Sequence, residues 1–219
     1  MHPTVLLVAH GTRDETGLAE IAQIAGAVRL RLPEPAVHVA YVDVLGPSIS
    51  DSLHELPAPV VVVPLFLAAG YHVCHDIPDG VSGRSGVFVT PPLGPDPVLT
   101  GALRERVEHV ARPSEQIVLA AAGSSDERAL RQVEMVAGWL AGELGSPVKL
   151  AYLSAAEPRL PDVVGPDAVV VPYLLAPGFF QRRAASAGAR AAAGVLGAHP
   201  AVIDVIVERY RVQCRCVRL

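Results

Sequence analysis

The chain is almost without lysine: of its 18 Lys and Arg residues only Lys149 is a lysine. It has no basic excess either, since 22 Asp and Glu leave a formal net charge of −4. That balance excludes the broad phosphate-neutralising surface of a nucleic-acid-binding protein. Arginine forks suit carboxylates, but a biased base composition produces the same imbalance and is the simpler explanation. Cysteine is scarce and odd in number: Cys74, Cys214 and Cys216 make no disulfide framework. Apolar runs are broken by Pro and Gly well short of the roughly 20 residues that a membrane-spanning helix needs. No basic stretch leads into an apolar segment with a small-residue cleavage site, so no signal peptide is expected. These absences together predict a cytoplasmic protein with neither a nucleic acid nor a membrane as partner.

What is there is ordinary globular material. The chain has 219 residues, 51% of them hydrophobic and 18% charged, enough for one large domain or two small ones with a sizeable core. The β-branched run Thr4 to Ala9 reads as a strand, and 10-HGTRDE-15 as the loop after it. Thr12 and Glu15 fit a capping box. Leu18, Ile21, Ala22, Ala25, Val28 and Leu32 then recur at helical spacing. A strand over 37–44, a short helix over 49–56, strands over 60–63 and 86–90 and a helix over 96–112 follow. Fully apolar strands alternating with helices indicate a parallel sheet covered on both faces. In such doubly wound sheets ligands sit beyond the carboxyl ends of the strands. His10, Asp43 and His72 all fall there.

The pattern then starts again. The stretch 117-IVLAAAGSSDE-127 parallels 5-VLLVAHGTRDE-15, with Ser124 and Glu127 in the capping-box places. The blocks 151-AYLSAAEPRL-160 and 169-VVVPYLLAPGFF-180 parallel 40-AYVDVLGPSI-49 and 61-VVVPLFLAAGYH-72. Three blocks in the same order, at offsets of 112, 111 and 108 residues, are an internal duplication. The expected fold is α/β: two flavodoxin-like doubly wound domains, residues 1–113 and 114–219.

The duplication serves as a control. Scaffold positions agree between the copies, including Gly11 with Gly123, Gly70 with Gly178 and Pro64 with Pro172. Three polar positions do not: His10 faces Ala122, Asp43 faces Ser154 and His72 faces Phe180. A need of the fold would persist in both copies, so these residues point to a site confined to the first. Two imidazoles and a carboxylate suit iron(II), cobalt(II), nickel(II) or zinc, and three protein ligands leave positions open for substrate. Against that stand plainer readings: a strand-end histidine often only hydrogen-bonds, and Asp43 fits a turn. His75 reads as a solvated neighbour. Asp76, just before Ile77 and Pro78, reads as the N-cap of a helix with proline in its first turn. Cys74 reads as a small buried apolar residue. Cys214 and Cys216 could capture a soft metal ion if the backbone bends between them, and are otherwise part of a frayed terminus. The remaining histidines carry no role.

The HGTRD loop after the first strand, 40-AYVDVLGPSI-49 and 64-PLFLAAGYHVCHDIP-78 resemble the sirohydrochlorin chelatase family, ATP-independent class II tetrapyrrole chelatases. The likeness covers the whole chain, because long members are also two fused halves. It implies insertion of iron(II) or cobalt(II) into sirohydrochlorin on the route to sirohaem or cobalamin; the ligand set by itself would also suit nickel(II). It also implies His10, Asp43 and His72 as the metal-site residues. Many members carry Glu at the position of Asp43, which is one methylene shorter. No permanently bound cofactor is expected, the metal being a substrate.

In that reading His10 is the principal ligand and proton acceptor, His72 the second ligand, and Asp43 a neutralising charge. Thr12, Arg13 and Ser48 at the helix starts would anchor carboxylates of the macrocycle. Phe179 and Phe180 would offer an apolar wall in a cleft between the halves. Because the fusion can supply both walls of a cleft, monomer and homodimer are both compatible. Two rivals use the same residues. A non-enzymatic metal carrier would need the ligands but no broad cleft. A histidine-nucleophile phosphatase would place Arg directly before the histidine, where this chain has Ala9.

Overall fold

The computed structural model describes residues 2–217. Two four-stranded parallel sheets form its frame. The first contains β1 (Thr4–Ala9), β2 (Val37–Tyr41), β3 (Val60–Pro64) and β4 (Val87–Val89) in the order β2-β1-β3-β4. The second contains β5 (Gln116–Ala121), β6 (Val148–Tyr152), β7 (Ala168–Tyr173) and β8 (Ala191–Ala192) in the order β6-β5-β7-β8. The registers repeat as well: Val5 pairs with Val37 and Val61, and Ile117 with Val148 and Val169.

Between these strands run α1 (Glu15–Arg31), α2 (Ile49–Glu55), α3 (Tyr71–Cys74), α4 (Asp76–Val81) and α5 (Pro97–Glu108) in the first half. The second half has α6 (Glu127–Leu144), α7 (Leu160–Val163), α8 (Phe179–Ala185) and α9 (Pro200–Val217). The expected helix over 96–112 is thus shorter. So is the expected strand over 37–44, because the chain leaves β2 after Tyr41 and turns through Val44, whose φ is 68°.

Alternation along the strands sorts the core into layers, since successive side chains of a strand face opposite ways. Val5, Leu7 and Ala9 of β1 face inward, and Leu6 and Val8 face outward onto Ile49, Leu53 and Ile77 of α2 and α4. The second half has its own outer cluster, in which Val118 and Val170 meet Leu160 and Ala184. The inner faces of both sheets belong to one continuous cluster. Its cover is exchanged: α5, from the first half, packs on α6 and β7, whereas α9, from the second, packs on α1 and β3. Val202, Ile203, Val205, Ile206, Val207 and Tyr210 of α9 are buried in this way, and the Tyr210 hydroxyl donates to the Pro3 carbonyl at 2.8 Å.

Neither of the two expected capping boxes forms at the long helices. Asp14 caps α1 by accepting from Thr16 N–H, and Asp126 caps α6 by accepting from Arg128 N–H. Thr12 and Ser124 instead accept from the N–H of Asp14 and Asp126, at 3.1 and 3.0 Å. With Asp14 and Asp126 at the N-cap positions, the hydroxyls lie two residues further back and tighten the loop instead of capping the helix. The helix of α9 continues through Cys214 and Cys216. Residues two apart on a helix point about 200° from each other, so these thiols share no ion.

Candidate active site

The loops at the carboxyl ends of β1, β3, β5 and β7 converge on one cavity of about 1080 Å³ between the halves. That volume is at the upper end of small-molecule sites. Its walls are mostly apolar, with Leu18, Leu67, Leu130 and Phe180 among them.

His10 is the first residue beyond β1. Gly11 makes its position possible: the backbone turns at φ 97°, and a Cβ there would lie 2.0 Å from the Asp43 carbonyl. Asp43 N–H in turn donates to the His10 carbonyl at 3.0 Å, tying the two loops together. The same device recurs at Gly123, with φ 94° and the Ser154 carbonyl 1.8 Å from a virtual Cβ, so the loop frame is common to both halves. His72 stands on the single turn of α3, two residues after its N-cap Gly70. Its ring is edge-on to that of His10, with centroids 4.5 Å apart. Phe66 packs beside His72 at 6.0 Å.

The hydrogen bonds also define the imidazole tautomers. His10 Nδ1 lies 3.1 Å from the Gly11 carbonyl oxygen, which can only accept, so Nδ1 is the donor and, in the neutral ring, Nε2 is the atom with the lone pair. His72 Nδ1 bonds to the Asp76 carboxylate. Asp76 opens α4 but makes no capping hydrogen bond, contrary to the expectation that its side chain serves as N-cap; the residue at that position is His75. His75 is exposed and stacks on Tyr71 with centroids 4.6 Å apart. Cys74 is partly buried and its thiol faces the Ala69 carbonyl at 3.6 Å.

The expected three-ligand set does not assemble. Among the described residues no three His, Cys, Asp or Glu side chains are grouped to hold a metal ion. Asp43 is exposed, and its carboxylate folds back to accept from Val44 N–H at 2.7 Å. The short side chain at this left-handed turn satisfies its own backbone. Ser48 is also placed elsewhere. Its hydroxyl and the Asp51 carboxylate form the reciprocal capping box of α2, away from the cavity wall.

Thr12 and Arg13 do line the cavity, and among the described residues Arg13 has no ion-pair partner. Arg182 lines it too, bound to Asp14, whose carboxyl is lowered to about 2 by the Thr16 hydroxyl and then by this guanidinium. Sequence reasoning missed Ser124 and Ser125, which line the opposite wall. Their placement in the copied loop was the available signal. It also missed Tyr71, which lines the cavity while 59% exposed, in the place that Phe179, 62% exposed, occupies in the second half.

A family model described as CbiX matches residues 4–110 and again residues 116–213. The chain belongs to the CbiX family. Among curated proteins, this CbiX chain is 33% identical over 129 residues to a sirohydrochlorin cobaltochelatase of Methanothermobacter thermautotrophicus, covering 48% of the chain and 90% of that protein. It is 26% identical over 192 residues to a sirohydrochlorin ferrochelatase of Priestia megaterium, covering 78% of the chain and 72% of the relative. Among solved structures, SirB from Bacillus subtilis with Fe3+ shares the fold at a TM-score of 0.83 and 24% identity, over 100% of this chain and 98% of that one. The duplicated α/β architecture is therefore that of the CbiX chelatases.

Proposed function

We propose that this CbiX protein is a sirohydrochlorin chelatase, inserting iron(II) or cobalt(II) into the macrocycle. The observation that carries this reading is the His10–His72 pair, 4.5 Å between ring centroids, on the wall of a macrocycle-sized apolar cavity. Its relatives named as ferrochelatases and cobaltochelatases agree with it. A metal carrier would gain nothing from a cavity of this volume.

Metallation requires a hydrated divalent ion to shed water and two pyrrole N–H protons to leave. Neutral imidazoles serve both needs, since they bind such ions and titrate near neutral pH. In our assignment the Nε2 atoms of His10 and His72 hold the incoming ion at the cavity wall. As the ring nitrogens take the metal over, His10 and His72 are released, and the Nε2 atom of each accepts one of the two pyrrole protons. Asp43, hydrogen-bonded through its backbone to the His10 carbonyl, lowers the local potential for a cation without ligating it. Arg13, unpaired and at the cavity, anchors a substrate carboxylate, and the Thr12 hydroxyl contributes beside it. Phe179, Phe180 and Tyr71 supply apolar surface for the ring. In our reading residues 1–113 carry the metal chemistry, and 114–219 supply the facing wall.

The test is anaerobic incubation of purified protein with sirohydrochlorin and iron(II) or cobalt(II), followed through the absorbance of the macrocycle. Acceleration over the spontaneous reaction is expected, and its absence overturns the proposal.

A further inference from the structure

The mechanism above uses His72 but leaves its hydrogen-bond partner without a task. Among the described residues, the Asp76 carboxylate has one hydrogen-bond partner, the His72 ring. It does not cap α4. It reaches back four residues across the break between α3 and α4, where His75 departs from helical geometry at φ −126°. The pair is only partly screened from solvent, with side-chain exposures of 31% for His72 and 34% for Asp76.

The duplication supplies a second, independent observation. The offset that places Phe180 opposite His72 places Ala184 opposite Asp76. Ala184 is fully buried in the outer core of the second half, on the unbroken helix α8. Imidazole and carboxylate are therefore replaced together, by an aromatic ring and a methyl group. A carboxylate kept for helix capping or surface solvation would have no reason to vanish with the histidine. One kept to act on that histidine would.

We propose that Asp76 is a positioning residue for His72. Its carboxylate accepts from Nδ1–H, which holds the ring in one orientation and in the tautomer whose Nε2 lone pair is available to the metal. A carboxylate in this place is the kind of outer partner that fixes the ring orientation of metal-bound histidines. His10 has the corresponding bond from a backbone carbonyl, so the chain presents two pre-set Nε2 donors from two different kinds of acceptor. This inference rests on the reading of His72 as a metal ligand.

The experiment uses the full chain and Co(II) alone, titrated calorimetrically and through its visible ligand-field absorption, with the insertion assay alongside. Asp76→Ala is expected to weaken Co(II) binding and raise the metal KM by about 10- to 100-fold, the usual cost of losing such a partner. The macrocycle KM should stay unchanged. Asp76→Glu should recover part of the loss. In the His72→Ala background, Asp76→Ala should cost nothing further, because its target is gone. Unchanged Co(II) affinity in Asp76→Ala overturns the proposal. So does an equal further loss on top of His72→Ala, or a macrocycle KM that rises with the metal KM. Should Asp76→Ala fail to fold, Asp76→Asn keeps the shape and is read by the same criteria. Co(II) binding that ignores His72→Ala removes both the ligand and its positioning. A chain that binds Co(II) through His72 and Asp76 yet does not metallate sirohydrochlorin overturns the function and leaves the positioning role standing.

Discussion

At the level of single residues, the second half describes what the first half would be without chemistry. It keeps the loop glycine, the left-handed turn at Ala155 matching Val44, and the apolar strands, and it carries Ala122 and Phe180 where the imidazoles stand. Replacing His10 by alanine therefore copies a side chain the same loop already tolerates. Fold and melting temperature should hold, while kcat/KM for insertion should fall by about 10²- to 10⁴-fold, as expected for loss of a ligand that also takes a proton. Full activity in that variant would dissociate the site from the function. Asp14 makes a different prediction. Its carboxyl is lowered from 3.8 to about 2, chiefly by Thr16 and then by Arg182 across the cleft. A depressed carboxylate contributes stability that is present above its unfolded pKa and is lost as pH falls through the folded value. The wild-type melting temperature should thus decline between about pH 4 and pH 2. Asp14→Asn, which preserves the N-cap acceptor, should flatten that part of the curve.

Elements show what the residue pattern could and could not disclose. The parallel sheets, the restart of the fold and the placement of His10 and His72 beyond strand ends were legible, because parallel strands must be apolar throughout and site residues break that regularity. The caps were not. A hydroxyl three residues before a carboxylate looks like a capping box at both Thr12 and Ser124, and only the loop path decides that Asp14 and Asp126 reach the helix instead. Asp76 misled for the same reason: a carboxylate ahead of Ile-Pro looks like a helix start, and its contact with His72 crosses a helix break that spacing does not reveal. The glycine loops offer a test at this scale. Gly11→Ala and Gly123→Ala each force a Cβ against a carbonyl at positive φ, so each should cost on the order of 1–3 kcal/mol in denaturant unfolding. Per folded molecule, Gly123→Ala should stay active. Gly11→Ala should not, because His10 sits on the displaced loop.

For the whole molecule, the exchange of α5 and α9 outweighs the duplication that produced it. An amphipathic pattern states that a helix has an apolar face, and the same face fits either of two near-identical sheets, so sequence could not say which one it covers. The inner core is consequently single, and each half depends on the other for one of its layers. Burying a Val or Ile side chain contributes about 1.5–3 kcal/mol. The six residues of α9 named above as buried thus represent about as much free energy as the 5–15 kcal/mol that typically separates a domain from unfolding. Removing α9 should therefore abolish cooperative folding of the whole chain, including the sheet that α9 does not follow in sequence. The intact chain should unfold in one transition. Fluorescence of Trp139, on α6 in the second half, and far-UV circular dichroism of both halves should give the same denaturant midpoint. Two separated transitions would show halves that are stable alone. Coincidence is the outcome the shared core requires, and it has a consequence for the cavity. Its two walls belong to one folding unit, so the distance across which His10, His72 and Arg13 face Phe179 and Ser125 is held by the exchanged helices rather than by a hinge.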